Sequence, residues 1–185
     1  MIYFSSDTHF GHDREFVWKA RGFKSVEEMN EAIVRNFNSL ITEIDDLYLL
    51  GDVIMGDPAN IEYVKRLNGK IHIIFGNHDT PTRRKMYAEL DNVVECVWAT
   101  MFKYKKYNIF LSHYPTIVIN EEIEDIESLK QCTLNFFGHT HQIERFYEND
   151  PRMLHIGVDS NNCYPVPIDE AIDAMYEKLN MIKGE

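Results

Sequence analysis

The 185 residues suffice for one domain with a sizeable core, and an apolar content of 44% is ordinary for a globular protein. The formal net charge of −11 argues against a broad basic face for nucleic acid, although bound divalent cations could reverse the potential locally. No apolar run approaches the ~18 residues that cross a bilayer. We therefore expect a single domain over residues 1–185, cytoplasmic, without a signal peptide and not membrane-bound.

The three cysteines are widely spaced and form no CxxC pair. Cys96, Cys132 and Cys163 are predicted to be reduced, buried thiols and not disulfide partners or zinc ligands. This pattern is typical of a cytoplasmic protein.

Five apolar runs, predicted to be strands, each end in polar side chains. The runs cover residues 2–6, 47–50, 71–75, 108–112 and 134–137. The polar groups at their ends are Asp7 and His9, Asp52, Asn77 and His78, His113, and His139 and His141. Open α/β sheets gather ligands at the carboxyl ends of their strands, so we expect these side chains to meet at one sheet edge.

The segment after the first strand changes from an irregular to a helical pattern. Residues 10–24 have no clean period and are predicted to be a loop beside the site. Ser25 and Glu28 form a capping box, which favours an amphipathic helix over residues 26–41.

A βαβ unit is predicted in the middle of the first half of the chain. A strand over residues 45–50, a helix bounded by Asp57-Pro58 and Asn68-Gly69, and the strand over 71–75 follow one another, which predicts a parallel pair. The remaining predicted elements are a short helix over 82–90, strands over 93–100 and 101–107 that could pair as a hairpin, a strand over 153–158 and a helix over 169–181.

An acidic segment, residues 121–127, separates the last two ligand-bearing strands. Ile123, Ile126 and Leu129 recur between its Asp and Glu residues, which predicts a solvated helix face with an apolar underside. Because negative charge would repel a phosphate, we expect this segment to point away from the site.

The residue types at the strand ends favour binding of divalent metal ions. Asp7 and His9 are two residues apart, as are His139 and His141, and on an extended chain each pair would share one face. Three candidates directly follow a glycine, which would let backbone pack closely at a crowded centre. Carboxylate, imidazole and amide ligands without thiolate suit Mn²⁺, Fe²⁺ or Zn²⁺. Seven candidate ligands are too many for one ion and suit two ions that share a carboxylate. They are Asp7, His9, Asp52, Asn77, His113, His139 and His141.

This ordered series of motifs resembles the signature of the calcineurin-like metallophosphoesterase superfamily. The motifs are Asp7-x-His9, Gly51-Asp52, Gly76-Asn77-His78-Asp79, His113 and Gly138-His139-x-His141. Five ordered blocks make the match specific, and the stretch from Asp7 to His12 is similar to small bacterial and phage-type members without an added domain. The resemblance implies an α/β fold, an αββα sandwich in which two mixed β-sheets are flanked by helices.

The resemblance also implies a centre of two divalent metal ions. The first ion would be bound by Asp7, His9, Asp52 and His141. The second would be bound by Asp52, Asn77, His113 and His139, so that Asp52 bridges the two. Mn²⁺ is favoured, with Fe²⁺, Zn²⁺ or Ni²⁺ as alternatives.

The implied reaction is hydrolysis of a phosphate mono- or diester, with a small nucleotide or other organic phosphate as the expected substrate. A hydroxide that bridges the two ions would attack phosphorus in line. His78 would contact the substrate and protonate the leaving oxygen, and Asp79 would orient the His78 imidazole. His12 and Arg14 are further candidates for contact with the substrate phosphate.

Other polar residues are expected to lie outside the site. His72 and His155 fall within predicted strands, where packing is the simpler role. The basic clusters 82–85 and 103–106 are expected to be solvated and not to contact nucleic acid.

Two other functions stay open. A nuclease of the DNA-repair kind shares these motifs, but it would need a basic surface that this acidic chain lacks. A binding scaffold on the same fold would be expected to have lost ligands or the proton donor, whereas Asp52 and His78 are both present. The sequence leaves the natural substrate, the native metal and the oligomeric state undetermined.

Overall fold

Nine strands form two sheets in the part of the chain that the computed structural model describes, residues 1–117 and 126–184. The first sheet consists of β1 (Ile2–Ser5), β2 (Asp46–Leu50), β3 (Lys70–Ile74), β4 (Val93–Val97) and β9 (Val166–Pro167), in the order β4-β3-β2-β1-β9. The second consists of β5 (Ala99–Tyr104), β6 (Tyr107–Ser112), β7 (Thr133–Phe137) and β8 (Met153–His155), in the order β5-β6-β7-β8.

The same residues contain five α-helices. They are α1 (Glu15–Trp18), α2 (Val26–Asn38), α3 (Ile61–Lys65), α4 (Pro81–Ala88) and α5 (Ile168–Gly184). Short 3-10 turns lie at Pro58–Asn60, Leu129–Gln131 and Tyr147–Asn149. No helix in the described ranges is both long and apolar enough to cross a membrane.

The start of α2 shows how the sequence fixes its main helix. The Ser25 hydroxyl accepts a hydrogen bond from the Glu28 amide at 3.2 Å, and the Glu28 carboxylate accepts one from the Lys24 amide at 2.7 Å. These bonds satisfy amide groups that the first helical turn leaves without partners. The helix buries Met29, Ile33 and Phe37 completely against the first sheet, so the predicted amphipathic face is confirmed.

Side chains of β1 alternate between two cores, as a strand buried on both faces requires. Tyr3 packs into the core shared with α2, whereas Phe4 faces the second sheet, where its ring centroid lies 4.9 Å from that of Phe136. Helix α5 adds Ile172 and Met175 to this second core. The predicted sandwich of two mixed sheets flanked by helices is confirmed.

Parallel pairing decides where the functional side chains lie. Strands β1 to β4 are mutually parallel, and only the short β9 joins this sheet antiparallel. Strands β6, β7 and β8 are also parallel. Parallel strands end at the same edge, so the residues just beyond β1, β2, β3, β6 and β7 lie together. The parallel β2–β3 pair confirms the predicted βαβ unit.

Three local predictions were wrong. The hairpin is formed by β5 and β6, because β4 pairs with β3 and the chain crosses to the second sheet near Trp98. The predicted loop 10–24 contains the one-turn helix α1, and the two-residue strand β9 had no apolar alternation long enough to detect. Of the acidic segment 121–127, residues 121–125 lie outside the described residues, and so does most of its predicted helix face.

Candidate metal centre

Carboxylate and imidazole groups from four different strand ends converge at the edge of the sandwich. Asp7, His9 and His141 each place a potential ligand atom within 4.8 Å of those of the other two. Asp7, Asp52 and His113 form a second such group. The sequence prediction that these five residues would lie together therefore describes the geometry correctly, although more than a hundred positions separate the first from the last.

Asp7 belongs to both groups, and Asp52 of the second group also faces the first. The Oδ2 atom of Asp52 is 3.9 Å from His9 Nε2 and 3.6 Å from His113 Nε2. Its Oδ1 atom accepts a hydrogen bond from the His78 amide at 2.8 Å. One carboxylate oxygen thus faces imidazoles of both groups, which is the arrangement that a shared ligand needs.

The polar atoms of the first group have few protein partners of their own. Asp7 is fully buried, and its Oδ1 atom has no hydrogen-bond partner among the described residues. This oxygen lies 3.8 Å from His9 Nε2 and 3.7 Å from His141 Nε2, and the two Nε2 atoms are 3.1 Å apart. Burial of an unpaired carboxylate oxygen is costly unless a cation compensates it. The donor set therefore fits a divalent ion that accepts nitrogen and oxygen ligands.

Asn77 and His139, the other two predicted ligands, lie beside the second group. Asn77 Oδ1 is 3.0 Å from His113 Nε2. The His139 ring centroid is 5.1 Å from that of His113, while its amide donates to Asp7 Oδ2 at 2.9 Å. His139 is adjacent to both groups, but its imidazole belongs to neither.

Two of the imidazoles, those of His113 and His141, are oriented through their second ring nitrogen. His113 Nδ1 is 2.7 Å from the Leu50 carbonyl, and His141 Nδ1 is 2.8 Å from Asp159 Oδ2. Asp159 is itself paired with Arg21, at 2.8 Å between Nε and Oδ1. Sequence reasoning missed both Arg21 and Asp159, since a single Arg and a single Asp 138 positions apart carry no recognisable motif.

The predicted pairing of Asp79 with the His78 imidazole was wrong. The Asp79 carboxylate is buried and accepts hydrogen bonds from the amides of Asp52 and Gly76, at 2.9 and 2.8 Å, and from the Tyr87 hydroxyl at 2.8 Å. These donors occupy its two oxygens because the turn after β3 directs the side chain inward. Asp79 therefore supports the backbone that carries two candidate ligands.

His78 lies at the open side of the centre. Its side chain is 48% exposed, and its Nε2 atom is 3.9 Å from Asp52 Oδ2. The Arg83 guanidinium donates to the His78 carbonyl at 2.6 Å, so this member of the basic cluster is not simply solvated. The imidazole thus faces solvent next to the candidate ligands, while the backbone of His78 is held by Arg83.

Several ligand residues adopt left-handed backbone conformations. The φ angles are 55° at Asp7, 49° at His9, 53° at Asp52, 69° at His139 and 50° at His141. The extended-chain argument for the two i, i+2 pairs was therefore wrong. Non-glycine residues rarely adopt this conformation, and such strain concentrates at functional sites.

The glycines before the ligands permit the close approach that the sequence suggested. A Cβ on Gly51 would lie 2.6 Å from the Gly76 amide nitrogen and from His113 Nδ1. A Cβ on Gly138 would collide with Ser6 and Asp7. Both positions therefore require a residue without a side chain.

Burial favours the neutral form of two of the imidazoles, those of His9 and His139. Desolvation, with the nearby charge of Arg21, holds the pKa of His9 well below its usual range, and desolvation also lowers the pKa of His139. Burial raises the pKa of Asp52, an effect that the neighbouring His113 opposes. Neutral imidazole is the form that binds metal ions, so burial prepares His9 for ligation.

The remaining sequence candidates lie at the margin or outside. His12 and Arg14 line a groove of about 460 Å³, and the His12 ring centroid is 5.4 Å from that of His9. His72 stacks on Tyr48 at 4.2 Å. His155 is fully buried with its Nδ1 atom 2.8 Å from the Ser160 hydroxyl.

The chain is similar to known proteins over most of its length. Over 98% of its length the chain is 29% identical to an uncharacterised protein of Methanocaldococcus jannaschii, 94% of which is covered. It is 24% identical to the gene 66 protein of Mycobacterium phage L5, over 85% of this chain and 86% of that protein. A crystal structure of a protein of unknown function from Aquifex aeolicus has the same fold, with a TM-score of 0.64 and 24% identity over 90% of this chain and 94% of that one.

The family assignment follows from a match to a family model. The model of the calcineurin-like phosphoesterase superfamily domain matches residues 1–160, which include every strand-end motif described above. This chain belongs to the calcineurin-like phosphoesterase superfamily.

Proposed function

We propose that this chain is a hydrolase that cleaves phosphate mono- or diesters with two divalent metal ions, Mn²⁺ being favoured. The observation that carries the proposal is the convergence of buried Asp7 and Asp52 with three imidazoles whose Nε2 atoms face them. Carboxylate oxygen and imidazole nitrogen without thiolate are the ligands of hydrolytic Mn²⁺, Fe²⁺, Zn²⁺ or Ni²⁺ centres.

The ligand sets follow from the two groups. Asp7, which belongs to both groups, would hold one ion with His9 and His141, and His113 and Asn77 would hold the other, with Asp52 facing imidazoles of both groups. His139, whose ring centroid lies 5.1 Å from that of His113, would complete the second set. When bound, such ions polarise phosphoryl oxygens and lower the pKa of a coordinated water to near neutrality.

The chain itself supplies a proton donor. His78 is the exposed imidazole beside Asp52, and it makes no ion pair with Asp79 that would hold it away from a substrate. An imidazole in this position can protonate the leaving alkoxide of an ester, a task worth about 10²–10⁴ in rate. A small nucleotide or other organic phosphate is the proposed substrate, since the net charge of −11 disfavours long nucleic acid.

A chromogenic assay tests the proposal. Bis(p-nitrophenyl) phosphate and p-nitrophenyl phosphate are incubated with metal-free protein and with Mn²⁺, Fe²⁺, Zn²⁺ or Ni²⁺ added. We expect turnover of at least one ester with metal, its loss on chelation and its recovery on addition of Mn²⁺.

The other functions predict different results. Absence of turnover with every ion would contradict the proposal and favour a binding scaffold. Cleavage of single-stranded DNA that falls steeply with salt, in preference to nucleotides, would favour a nuclease.

A further inference from the structure

A buried ion pair lies behind the first metal-binding group. Arg21, which follows α1, binds Asp159, which follows β8, through two bonds: Nε to Oδ1 at 2.8 Å and Nη2 to Oδ2 at 3.1 Å. Their side chains are 3% and 14% exposed. Neither residue belongs to the motifs that define the metal centre.

Asp159 connects this pair to a candidate ligand. Its Oδ2 atom is 2.8 Å from His141 Nδ1. A carboxylate at this distance fixes the tautomer in which Nδ1 carries the proton and Nε2 keeps its lone pair. His141 Nε2 is the atom that lies 3.7 Å from Asp7 Oδ1 and 3.1 Å from His9 Nε2.

Arg21 also holds the backbone of the other side of the same group. Its Nη2 atom donates to the Asp7 carbonyl at 2.8 Å, and its Nη1 atom donates to the Thr8 carbonyl at 3.1 Å. One guanidinium therefore fixes both the left-handed turn that carries Asp7 and His9 and the carboxylate that orients His141. A rigid, forked donor is suited to this, whereas a lysine ammonium is not.

In the part of the chain that the structure describes, no such pair contacts Asp52 or His113 of the second group. His113 is oriented by the Leu50 carbonyl at 2.7 Å, which is part of β2, and the amide of Asp52 is held by Asp79. A change at Arg21 or Asp159 therefore reaches the first group directly and the second only through Asp7.

Stability alone does not account for the pair. Buried ion pairs contribute little net stability compared with apolar residues of the same volume, because desolvation offsets their attraction. Among the described residues, every hydrogen bond of the Arg21 and Asp159 side chains, except one from Arg21 to the Met29 sulfur, goes to each other or to the segments that carry Asp7, Thr8 and His141.

We propose that Arg21 and Asp159 are positioning residues that make the affinity of the Asp7–His9–His141 group for a divalent ion depend on the orientation of His141. The inference rests on the metal centre of the proposed function but not on turnover of any substrate. It means that the two metal positions respond differently to the same substitution.

Titration with Mn²⁺ tests this asymmetry. Binding to metal-free wild type and to the variant Asp159→Asn is followed by calorimetry and by the loss of the free-Mn²⁺ electron paramagnetic resonance signal. We expect one ion to bind about 10–100-fold more weakly in the variant, and the other to change by less than about threefold.

The variant Glu31→Gln is the matched control. Glu31 also forms a two-bond pair with an arginine, Arg66, at 2.7 and 2.6 Å, but on an exposed surface away from the centre. Glu31→Gln should bind both Mn²⁺ ions with wild-type affinity. Equal affinities in Asp159→Asn and wild type, or an equal loss at both positions, would overturn the proposal.

A second readout distinguishes positioning from a general loss of structure. In metal-free wild type at pH 8, ¹⁵N spectra of the histidine side chains should show His141 protonated at Nδ1. The variant Arg21→Lys keeps a charge beside Asp159 and guards against misfolding of Asp159→Asn. Arg21→Lys should keep the cooperative unfolding transition and should weaken binding of the same ion that Asp159→Asn weakens. Wild-type affinity at both positions in Arg21→Lys would contradict the inference.

The two proposals fail in different ways. Suppose that wild type binds two ions, that these variants weaken the two unequally, and that wild type hydrolyses no ester. This inference would then stand and the proposed function would be refuted. A wild-type protein that binds no ion would refute both.

Discussion

The two halves of the candidate metal centre are held by different kinds of contact. The Asp52 half, with Asn77 and His113, is supported from its own strands: the Leu50 carbonyl orients His113. The Asp7 half, with His9 and His141, depends on a side-chain pair brought from residues 138 positions apart. The Leu50 carbonyl belongs to the same strand-end motif as Asp52, whereas Arg21 and Asp159 are brought together only by the fold. Substitutions should therefore weaken metal binding in one half without weakening it equally in the other.

Replacement of the shared carboxylate is expected to have the largest effect. Asp52→Asn removes the charge that faces both His9 and His113, so both ions should bind more weakly and turnover should fall by about 10³-fold or more. Metal content by mass spectrometry and the chromogenic assay measure the two effects.

Asp46→Asn is its matched control. Asp46 is a carboxylate of β2 that pairs with His72 at 3.0 Å, at the opposite end of the same strand. It should retain wild-type metal content and rate. Loss of a single ion in Asp52→Asn would show that Asp52 serves one half alone.

The next largest effect is expected at a residue that belongs to neither half. His78→Ala should reduce turnover by about 10²–10⁴-fold because it removes the proton donor, while both ions remain bound. The reduction should be smaller for an ester with a good leaving group such as p-nitrophenolate than for an alkyl ester. A fall in metal content as large as that of Asp52→Asn would mean that His78 is a ligand.

The sequence was sufficient for residues whose position in a strand is itself informative. Asp7, Asp52, His113 and His141 were predicted together because each follows an apolar run, and parallel strands end at one edge. Order and residue type then restricted the family. The fold and most of the residues that meet at the candidate metal centre were therefore predictable.

Other features depend on directions that the sequence does not encode. The family resemblance implied that Asp79 orients the His78 imidazole, but the turn points the Asp79 carboxylate towards the amides of Asp52 and Gly76. The left-handed conformations of the ligands occur at non-glycine residues, where composition gives no warning. Arg21 and Asp159 could be recognised only once the fold had brought them together.

The pH dependence of stability offers a smaller test of the Asp7 half. A Cβ on Gly157 would lie 2.8 Å from His155 Nε2 and 3.5 Å from Asp7 Oδ2, so both side chains lie beside Gly157. Burial lowers the pKa of His155 to about 4. Between pH 6.5 and 4 the unfolded chain therefore binds a proton that the folded chain does not, and stability falls as the pH falls.

We expect this histidine to cost the metal-free protein up to about 3 kcal/mol of unfolding free energy between pH 7 and pH 4. Urea unfolding of wild type and His155→Asn at both pH values measures the difference, since asparagine does not titrate and can still reach the Ser160 hydroxyl. Parallel losses in the two proteins would show that His155 is already protonated in the folded state.

The smallest expected effect concerns the support of the Asp52 half. Tyr87 is buried, donates to Asp79 at 2.8 Å and accepts from the Ile54 amide at 3.3 Å. Burial and the charge of Asp79 raise the pKa of Tyr87, so it stays a neutral donor at any pH of interest. Tyr87→Phe should lower the unfolding free energy by about 1–2 kcal/mol, because a hydrogen bond to a buried carboxylate is lost.

Tyr104→Phe is the control, since the Tyr104 hydroxyl bonds to Asp169 at 3.1 Å on an exposed surface and its loss should cost less than about 0.5 kcal/mol. In Mn²⁺ titrations of Tyr87→Phe, any loss of affinity should fall on the ion that Asp159→Asn leaves unchanged. Asp79 still holds the amides of Asp52 and Gly76, so that loss should be slight. A loss confined instead to the ion that Asp159→Asn weakens would mean that the two halves share one support, and the contrast between them would not hold.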